Sequence, residues 1–386
     1  MKEGSTVPAT KRRRMRARRD IPHTPRFRKG ERVGVVLGAG ATKACDGPLT
    51  WEILPAAFEA TRGEPIERKR LEHLDMFLQR LFSVPPALAA RKPGDYPPLP
   101  TLLSLLDTAI AREHDLGSDW PTTRLRQVRR QAEYAVLRSI AHTMRHPRSW
   151  ANRCHENLIV NIHRRTGRWP SVVSLNYDLR IDYAMIDADQ GGLPDYGCDI
   201  RTPGYQEATK VGSLLKIHGS MHWLYCPTCH RLDLGLDRSG RLRKAGLSAA
   251  GAQAAGLDFE AGFVEKVLRC PDCETTFRTV MITPTSLKDY RNPHIASLWY
   301  QAERALRECD RVVFVGYSLP WDDVDVIYLL KRGLSHLSGR KLTVVEQAER
   351  PVPIDKHEAG KRYQAVFGRG IDWQPLGFVK WVQTLR

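Results

Sequence analysis

The chain has 386 residues, of which 42% are hydrophobic and 27% charged, proportions that are usual for a soluble globular protein. No run approaches the roughly eighteen apolar residues that a membrane-spanning helix needs. No apolar segment follows the basic N-terminus as it would in a secretory signal. These features argue against a membrane protein and favour a cytoplasmic location. The length fits one large α/β domain with insertions, or two modest domains.

The formal net charge of +17 is concentrated at the N-terminus, where residues 1–30 contain eleven Lys or Arg and two acidic residues. Like charges at this density repel one another, so we expect a disordered basic tail followed by a folded domain over 31–386. The tail is interpreted as an arm that binds nucleic acid or an acidic partner. The alternatives are a solubilising extension, or residues upstream of the true start of the protein.

A β-rich run at 32–37 leads into a glycine-rich turn that contains Gly38, Ala39, Gly40 and Thr42. Glycine lets the backbone approach a ligand closely, and the N-terminus of a following helix favours a pyrophosphate. The third glycine of the dinucleotide fingerprint is absent, because Lys43 occupies its place. A tight strand–helix turn without a ligand is therefore the alternative.

Short apolar runs recur further along the chain and predict buried strands of a parallel sheet. Leucines at three- and four-residue spacing predict helices through most of 65–165, and further helices are expected at 293–309 and after Pro320. The predicted fold class is α/β, a Rossmann-like parallel sheet with a helical insertion at about 65–165. The strand-like runs lie at 171–175, 214–217, 280–283, 311–315 and 341–345.

Polar residues follow several of these runs, at the strand ends where open α/β sheets carry their chemistry. Asn176 and Asp178 are candidates for holding ribose hydroxyls or a water molecule, although such residues also form ordinary turns. His218, which precedes Gly219, is a candidate for proton transfer near neutral pH. The alternative for His218 is a histidine packed beside a turn.

Two later strand ends offer further binding candidates. Gly316 and Ser318 follow the run at 311–315 and are suited to bind a phosphate or a ribose. Glu346 ends the last run, where its carboxylate would accept hydrogen bonds from an adenosine ribose. A solvated acid is the equal alternative for Glu346.

Four of the eight cysteines form two Cys-Pro-x-Cys pairs, and this spacing in a chain without a secretion signal favours metal over disulfides. Four thiolates complete a tetrahedral site with no open position, so we predict a structural zinc in a small zinc-ribbon module at about 222–280. Reduced, unliganded thiols are the alternative, and His230 is an alternative ligand. The remaining cysteines, Cys45, Cys154, Cys198 and Cys309, show no paired spacing. The predicted zinc ligands are Cys226, Cys229, Cys270 and Cys273.

In this order the motifs resemble the sirtuin family. The matching segments are Gly-Ala-Gly-x-Thr at 38–42, Asn-x-Asp at 176–178, His-Gly at 218–219, the two cysteine pairs and Gly-x-Ser at 316–318. The match covers roughly residues 31–350 and leaves out the basic tail. It implies an NAD-binding domain with Asn176 near the nicotinamide ribose and His218 as the catalytic base.

Two segments depart from the deacylating sirtuins. Those enzymes have Gly-Ile-Pro-Asp-Phe-Arg where this chain has Asp-Gly-Pro-Leu-Thr-Trp at 46–51, and Phe-Gly-Glu where it has the segment 280–286. The helical insertion, the Ser-Leu-Asn-Tyr-Asp form at 174–178 and the run at 317–323 instead resemble sirtuin-like NAD hydrolases of bacterial antiphage defence.

The resemblance implies hydrolysis of NAD to nicotinamide and ADP-ribose, with Gly38, Gly40 and Thr42 around the pyrophosphate. It further implies an oligomer, or a partner such as an ATPase, a translocase or an argonaute. Two alternatives remain open. One is an NAD-dependent protein-lysine deacylase. The other is a non-catalytic subunit that binds NAD or ADP-ribose within a nucleic-acid-associated complex.

Overall fold

The computed structural model describes residues 27–86, 91–145, 152–188, 192–201, 212–235, 245–255 and 268–385. The predicted disordered tail falls mostly on residues 1–26, which lie outside the described residues. Within the described part of the chain, no helix combines the length and the apolar character needed to cross a membrane.

Nine strands in the described part of the chain form two sheets. In chain order the strands are β1 (Val33–Leu37), β2 (Ser171–Ser174), β3 (Leu214–Lys216), β4 (Gly219–Tyr225), β5 (Leu232–Leu234), β6 (Arg278–Met281), β7 (Arg311–Val315), β8 (Leu342–Val345) and β9 (Asp372–Gln374). The main sheet has the order β3-β2-β1-β7-β8-β9, and every neighbouring pair is parallel. Every residue of β1 is buried, because this central strand is covered on both faces.

The strand order reverses between β1 and β7, since β2 and β3 lie on one side of β1 while β7, β8 and β9 lie on the other. Open α/β sheets bind ligands at such a switch point, outside the carboxyl ends of the strands. The register aligns the carboxyl ends of β1, β2, β3, β7 and β8 with one another. Leu37 pairs with both Ser174 and Val315, Ser174 pairs with Lys216, and Val315 pairs with Val345. Residues just beyond these positions therefore share one edge, which we call the carboxyl edge.

Helices cover the main sheet and build the insertion. In chain order the helices are α1 (Ala39–Lys43), α2 (Ile53–Glu59), α3 (Pro65–Lys69), α4 (Glu72–Phe82), α5 (Leu99–Ala111), α6 (Thr122–Thr143), α7 (Cys154–Thr166), α8 (Arg180–Ala188), α9 (Ala245–Ala254), α10 (Pro293–Arg307), α11 (Val324–Gly333), α12 (Glu358–Phe367) and α13 (Phe378–Gln383). The longest helix of the insertion, α6, packs against α2, α4, α5 and α9, while α10 packs against α11 and β3.

The second sheet is antiparallel and has the order β5-β4-β6. The prediction that the run 280–283 belongs to the parallel sheet is wrong, because β6 pairs antiparallel with β4. A short apolar run does not reveal the direction of its partner, so the sequence pattern could not separate the two cases. The predicted α/β fold class is nonetheless confirmed by the six-stranded parallel sheet and its helical insertion.

The turn after β1 and the turn after β7 touch backbone to backbone at the switch point. Gly38 N donates to Val315 O over 3.0 Å, and Gly40 N donates to Gly316 O over 2.8 Å. Gly316 has a φ of +61°, and a Cβ placed on it would lie 2.2 Å from Ala41 N. A side chain at Gly316 would therefore combine left-handed backbone strain with a steric clash.

We predict that Gly316→Ala destabilises the protein by about 3 kcal/mol or more, since it adds overpacking to the strain of a left-handed alanine. The matched control is Gly63→Ala, where φ is +77° but no atom lies within 4 Å of the added Cβ. The control should lose only about 1 kcal/mol, which is the backbone strain alone. Urea unfolding of both variants measures the difference, and equal losses would contradict the proposed contact.

Candidate functional site

The carboxyl edge brings together segments that are far apart in the sequence. Gly38, Gly316 and Glu346 each stand one residue beyond the paired end of a strand, while Asn176 and His218 each stand two residues beyond. The parallel register therefore gathers the polar strand ends picked out in the sequence on one side of the sheet.

His218 has a defined tautomer. Its Nδ1 lies 3.3 Å from the carbonyl oxygen of Leu175, which can only accept, so Nδ1 carries the proton. The other ring nitrogen, Nε2, is then a lone-pair acceptor. Nε2 is buried and finds no hydrogen-bond partner among the described residues. A buried polar atom in this state is an open acceptor for a ligand or a water molecule.

Aromatic rings and one ion pair surround His218. Its ring centroid lies 6.5 Å from that of Tyr177 and 6.2 Å from that of Trp299. Burial lowers the pKa of His218 to about 4, although the charge of Asp323 opposes the shift. Lys288 adds to the lowering and is itself paired with Asp323. The imidazole is thus neutral near pH 7.

The backbone conformation and the close packing at position 219 explain why a glycine follows His218. Its φ is +84°, and an added Cβ would lie 2.1 Å from Val280 O on β6. The carbonyl of His218 accepts from Ile282 N over 2.9 Å. The backbone of the histidine is therefore held between β3 and the second sheet.

Asn176 bridges two of the strand ends. Its Nδ2 donates to Gly38 O over 2.9 Å, which ties the loop after β2 to the glycine turn after β1. The residue keeps partial solvent exposure. The loop is also fixed by Met221 N, which donates to Tyr177 O over 3.0 Å.

Asp178 is buried and both of its carboxylate oxygens are engaged. Thr42 Oγ1 donates to one oxygen over 2.5 Å, and Arg180 N donates to the other over 2.8 Å. These contacts join the end of α1 to the start of α8. In this geometry Asp178 and Thr42 fix each other, and neither side chain projects alone towards a ligand.

A buried polar network behind the site escaped the sequence analysis. Lys216 Nζ donates to Asp182 Oδ2 over 2.7 Å and to Asp178 O over 2.5 Å, and both side chains have no solvent exposure. Tyr196 donates to the other oxygen of Asp182 over 2.8 Å. A charged residue inside an otherwise apolar strand was the available signal. The ammonium group of Lys216 therefore fixes the 176–178 loop through its hydrogen bond to Asp178 O.

The two neighbouring histidines have other roles. His222 is fully buried, with Nδ1 2.7 Å from Ser220 Oγ, and burial together with the charge of Lys216 holds its pKa well below the usual value. His230 lies on the surface, with Nδ1 2.6 Å from Tyr225 Oη. Neither therefore competes with His218 at the carboxyl edge.

The remaining predicted site residues differ in their surroundings. Glu346 Oε1 is buried without a hydrogen-bond partner in the described part of the chain, and burial raises the pKa of Glu346 to about 7. Ser318 is exposed, and its carbonyl accepts from Arg362 over 2.9 Å. Ala39 lies at the start of α1, which is only five residues long.

The four paired cysteines converge, as the sequence predicted. Their sulfur atoms all lie within 4.8 Å of one another, with 3.4 Å between Cys226 and Cys273 and 3.5 Å between Cys229 and Cys270. A tetrahedral zinc with Zn–S bonds of about 2.3 Å implies sulfur separations of about 3.8 Å. The four thiols thus fit a structural zinc, and His230 does not join them.

The two cysteine pairs also have the same backbone turn. His230 and Glu274, the residues that follow the pairs, have φ values of 62° and 58°. Their N–H groups donate to the carbonyls of Cys226 and Cys270 over 3.0 and 2.9 Å. Repetition of one turn on both sides is typical of paired zinc knuckles and supports the same ligand set.

A large cavity is lined by residues within 43–64 and by the helical insertion. Its volume is about 1410 Å³, and its lining includes neither His218 nor Asn176 nor Asp178. Acidic and basic side chains nearly balance in its lining. They are Asp46, Glu52, Glu59, Glu64, Glu72 and Asp75 against Lys43, Arg62, Arg68, Lys69 and Arg91.

No protein-family model matches the chain, and no curated protein matches it. Solved structures of Sir2 enzymes are similar at low identity. A mutant Sir2 homologue in complex with 2′-O-acetyl ADP ribose is 12% identical with a TM-score of 0.42, over 92% of this chain and 91% of that chain. A Sir2 homologue–NAD complex is 13% identical with a TM-score of 0.39, over 92% and 89%. At these values the similarity carries no inference about ligand or activity.

We predict that Lys216→Met destabilises the protein by about 3–5 kcal/mol, because it leaves the carboxylate of Asp182 buried without its cation. Lys361→Met is the matched control, since Lys361 pairs with Glu358 on the surface and should show no measurable loss. Urea unfolding compares the two variants. Equal stability of Lys216→Met and the control would show that the buried pair does not hold this region.

Proposed function

We propose that the protein is a sirtuin-like enzyme that hydrolyses NAD at the bond between nicotinamide and ribose. The observation that carries the proposal is the buried, unpartnered Nε2 of His218 at the carboxyl edge, beside Asn176. A neutral imidazole with a fixed tautomer and an open lone pair is equipped to accept a proton. The order of the motifs along the chain supports NAD as the substrate.

The binding site for NAD is proposed at the switch point between β1 and β7. The turns that contain Gly38 and Gly316 approach each other there, and parallel sheets of this order take nucleotides at such a crevice. The unpartnered Oε1 of Glu346 lies one strand further along the same edge and is suited to a ribose hydroxyl. The five-residue α1 is too short to contribute much through its dipole.

The proposed reaction consumes one water molecule and releases nicotinamide, ADP-ribose and a proton. The carbon–nitrogen bond to nicotinamide breaks through an oxocarbenium-like state, and its electron pair leaves with the nicotinamide nitrogen. Water then attacks the ribose carbon. His218 Nε2 accepts the proton from this water, or from a ribose hydroxyl that relays it.

The neighbouring side chains orient the reactants in this proposal. Asn176, whose Nδ2 is held by Gly38 O, presents its amide oxygen to the attacking water or to a ribose hydroxyl. Asp178 and Thr42 act as positioning residues through their mutual hydrogen bond, since both oxygens of Asp178 are already engaged. Zinc bound by the four paired cysteines would stabilise the module that ends in β6, against which Gly219 is packed.

The biological part of the proposal is depletion of NAD during antiphage defence. It is supported by the sequence resemblance and by the absence of the deacylase segments at 46–51 and 280–286. We further propose that the chain works as an oligomer or with a partner ATPase, translocase or argonaute. Residues 1–30, with eleven basic residues, would then contact nucleic acid or an acidic partner.

The direct test is to incubate the purified full chain with NAD and to measure the released nicotinamide by chromatography. We expect His218→Ala and Asn176→Ala each to lower release by about 100-fold or more, as for loss of a proton acceptor or of an orienting group. His230→Ala, a surface histidine of the same module, should release nicotinamide at the wild-type rate. Phage-challenged cells that carry the wild type or His218→Ala then test the defence role.

Two results would point away from the hydrolase, and a third would point away from its proposed base. Release that depends on an acetyl-lysine peptide and forms O-acetyl-ADP-ribose would favour the deacylase. Calorimetric binding of NAD with no turnover under any activating condition would favour a non-catalytic binding subunit. Full activity in His218→Ala would remove the proposed base.

The pH dependence of release gives a second prediction. His218 must be neutral to accept a proton, and its pKa is lowered to about 4. We therefore expect the rate of nicotinamide release to fall, through protonation of His218, only below about pH 5. An unperturbed histidine would already lose activity near pH 6.5. Because kcat/KM reports the free enzyme, its profile between pH 4 and 8 is the measurement, with circular dichroism to confirm folding.

Glu346 titrates in the same range and needs its own control. Its pKa is raised to about 7, so a limb near that pH belongs to Glu346 and should vanish in Glu346→Gln. A limb near pH 6.5 that persists in Glu346→Gln would contradict the lowered pKa of His218.

A further inference from the structure

Three buried side chains form a second cluster outside both the carboxyl edge and the zinc module. Cys45 follows α1, whereas Cys154 and His155 form the first turn of α7, more than 100 residues later in the chain. All three are at most 2% exposed. Their ligand atoms lie within 4.8 Å of one another, and none of them takes part in the proposed NAD chemistry.

The distances match those between the ligands of one metal ion. Cys45 Sγ lies 3.7 Å from Cys154 Sγ and 3.7 Å from His155 Nδ1, and Cys154 Sγ lies 3.5 Å from the same nitrogen. Zinc bonds of about 2.3 Å to sulfur and about 2.0 Å to nitrogen imply tetrahedral separations of about 3.8 Å between sulfurs and about 3.5 Å between sulfur and nitrogen.

The charge of the cluster also suits a buried divalent cation. Two thiolates and a neutral imidazole neutralise a 2+ ion, so the complete site carries no net charge into the interior. Soft sulfur ligands select zinc over magnesium or calcium. Among the described residues, no fourth Cys, His, Asp or Glu joins the cluster, which leaves one position for water.

We propose that Cys45, Cys154 and His155 bind a second zinc ion, separate from the ion proposed for the four paired cysteines. Such an ion would fasten the segment after α1 to the start of α7. The segment begins at Cys45 and continues into Asp46, Gly47 and Pro48, which line the 1410 Å³ cavity. Such an ion would therefore hold one wall of that cavity in place.

Two metal-free states compete with this proposal. In the first, Cys45 is a thiolate without metal, because hydrogen bonds with Cys154 and His155 and the charge of Arg180 lower the pKa of its thiol against the effect of burial. In the second, Cys45 and Cys154 close the 3.7 Å gap between their sulfurs and form a disulfide upon oxidation.

The test is the zinc content of the purified full chain, measured by elemental mass spectrometry after growth with zinc. We expect about two zinc ions per chain, one for each cluster. Cys45→Ser and His155→Gln should each lose about half of the zinc, and Cys229→Ser should lose the other half. Cys198→Ser, a thiol outside both clusters, is the matched control and should keep the wild-type content. Circular dichroism establishes that each variant is folded.

The wild-type ratio decides the question even where a variant fails to fold. A ratio of about one that Cys229→Ser abolishes would overturn the second site and favour the metal-free thiolate. An unchanged ratio in folded Cys45→Ser or folded His155→Gln would overturn it as well. A crosslinked peptide joining Cys45 to Cys154 in the non-reduced, freshly purified chain would identify the disulfide instead. The NAD assays do not enter this test, so the two proposals fail separately.

Discussion

One buried ammonium group supports the part of the candidate site that contains Asn176 and His218. Lys216 sits at the end of β3 with its charge balanced by Asp182, and the same Nζ binds the carbonyl of Asp178. Removing a buried cation from such a pair is far more costly than losing a surface pair. The loop that contains Asn176 therefore has little freedom, and His218, two residues after Lys216 on the same segment, is fixed relative to it. The hydrogen bond from His218 Nδ1 to Leu175 O also connects the histidine directly to the residue before Asn176.

The glycine turn deserves a different interpretation from the one its sequence suggests. A Gly-Ala-Gly run after a strand is commonly linked to a phosphate, yet here Gly38 and Gly40 make close backbone contact with the turn at Gly316. The packing of two turns is by itself sufficient to require these glycines. The unpartnered atoms of His218 and Glu346 therefore support the proposed NAD site more strongly than the glycines do.

The sequence predicted the parts of the fold that local patterns encode. The strands β1, β2, β3, β7 and β8 were predicted because each is a short apolar run, whereas β9, with the sequence Asp-Trp-Gln, has no such pattern. The predicted direction of β6 was wrong, because the direction of pairing depends on a partner strand that is distant in the sequence. The four paired cysteines were found from their spacing. Cys45 and Cys154 gave no comparable signal, since only the fold brings positions 109 residues apart into contact. The roles of the predicted site residues stay predictions.

The strand β4 links the candidate base to the metal-binding module without an intervening loop. It begins at Gly219, directly after His218, and ends at Tyr225, directly before Cys226. The pairing of β4 with β6 is irregular, because Ser220 and Leu224 pair with the adjacent residues Val280 and Thr279. A bulge of this kind bends a strand and re-aims its side chains. The direction in which the metal-binding module leaves the candidate base is therefore set by this bulge within a seven-residue strand.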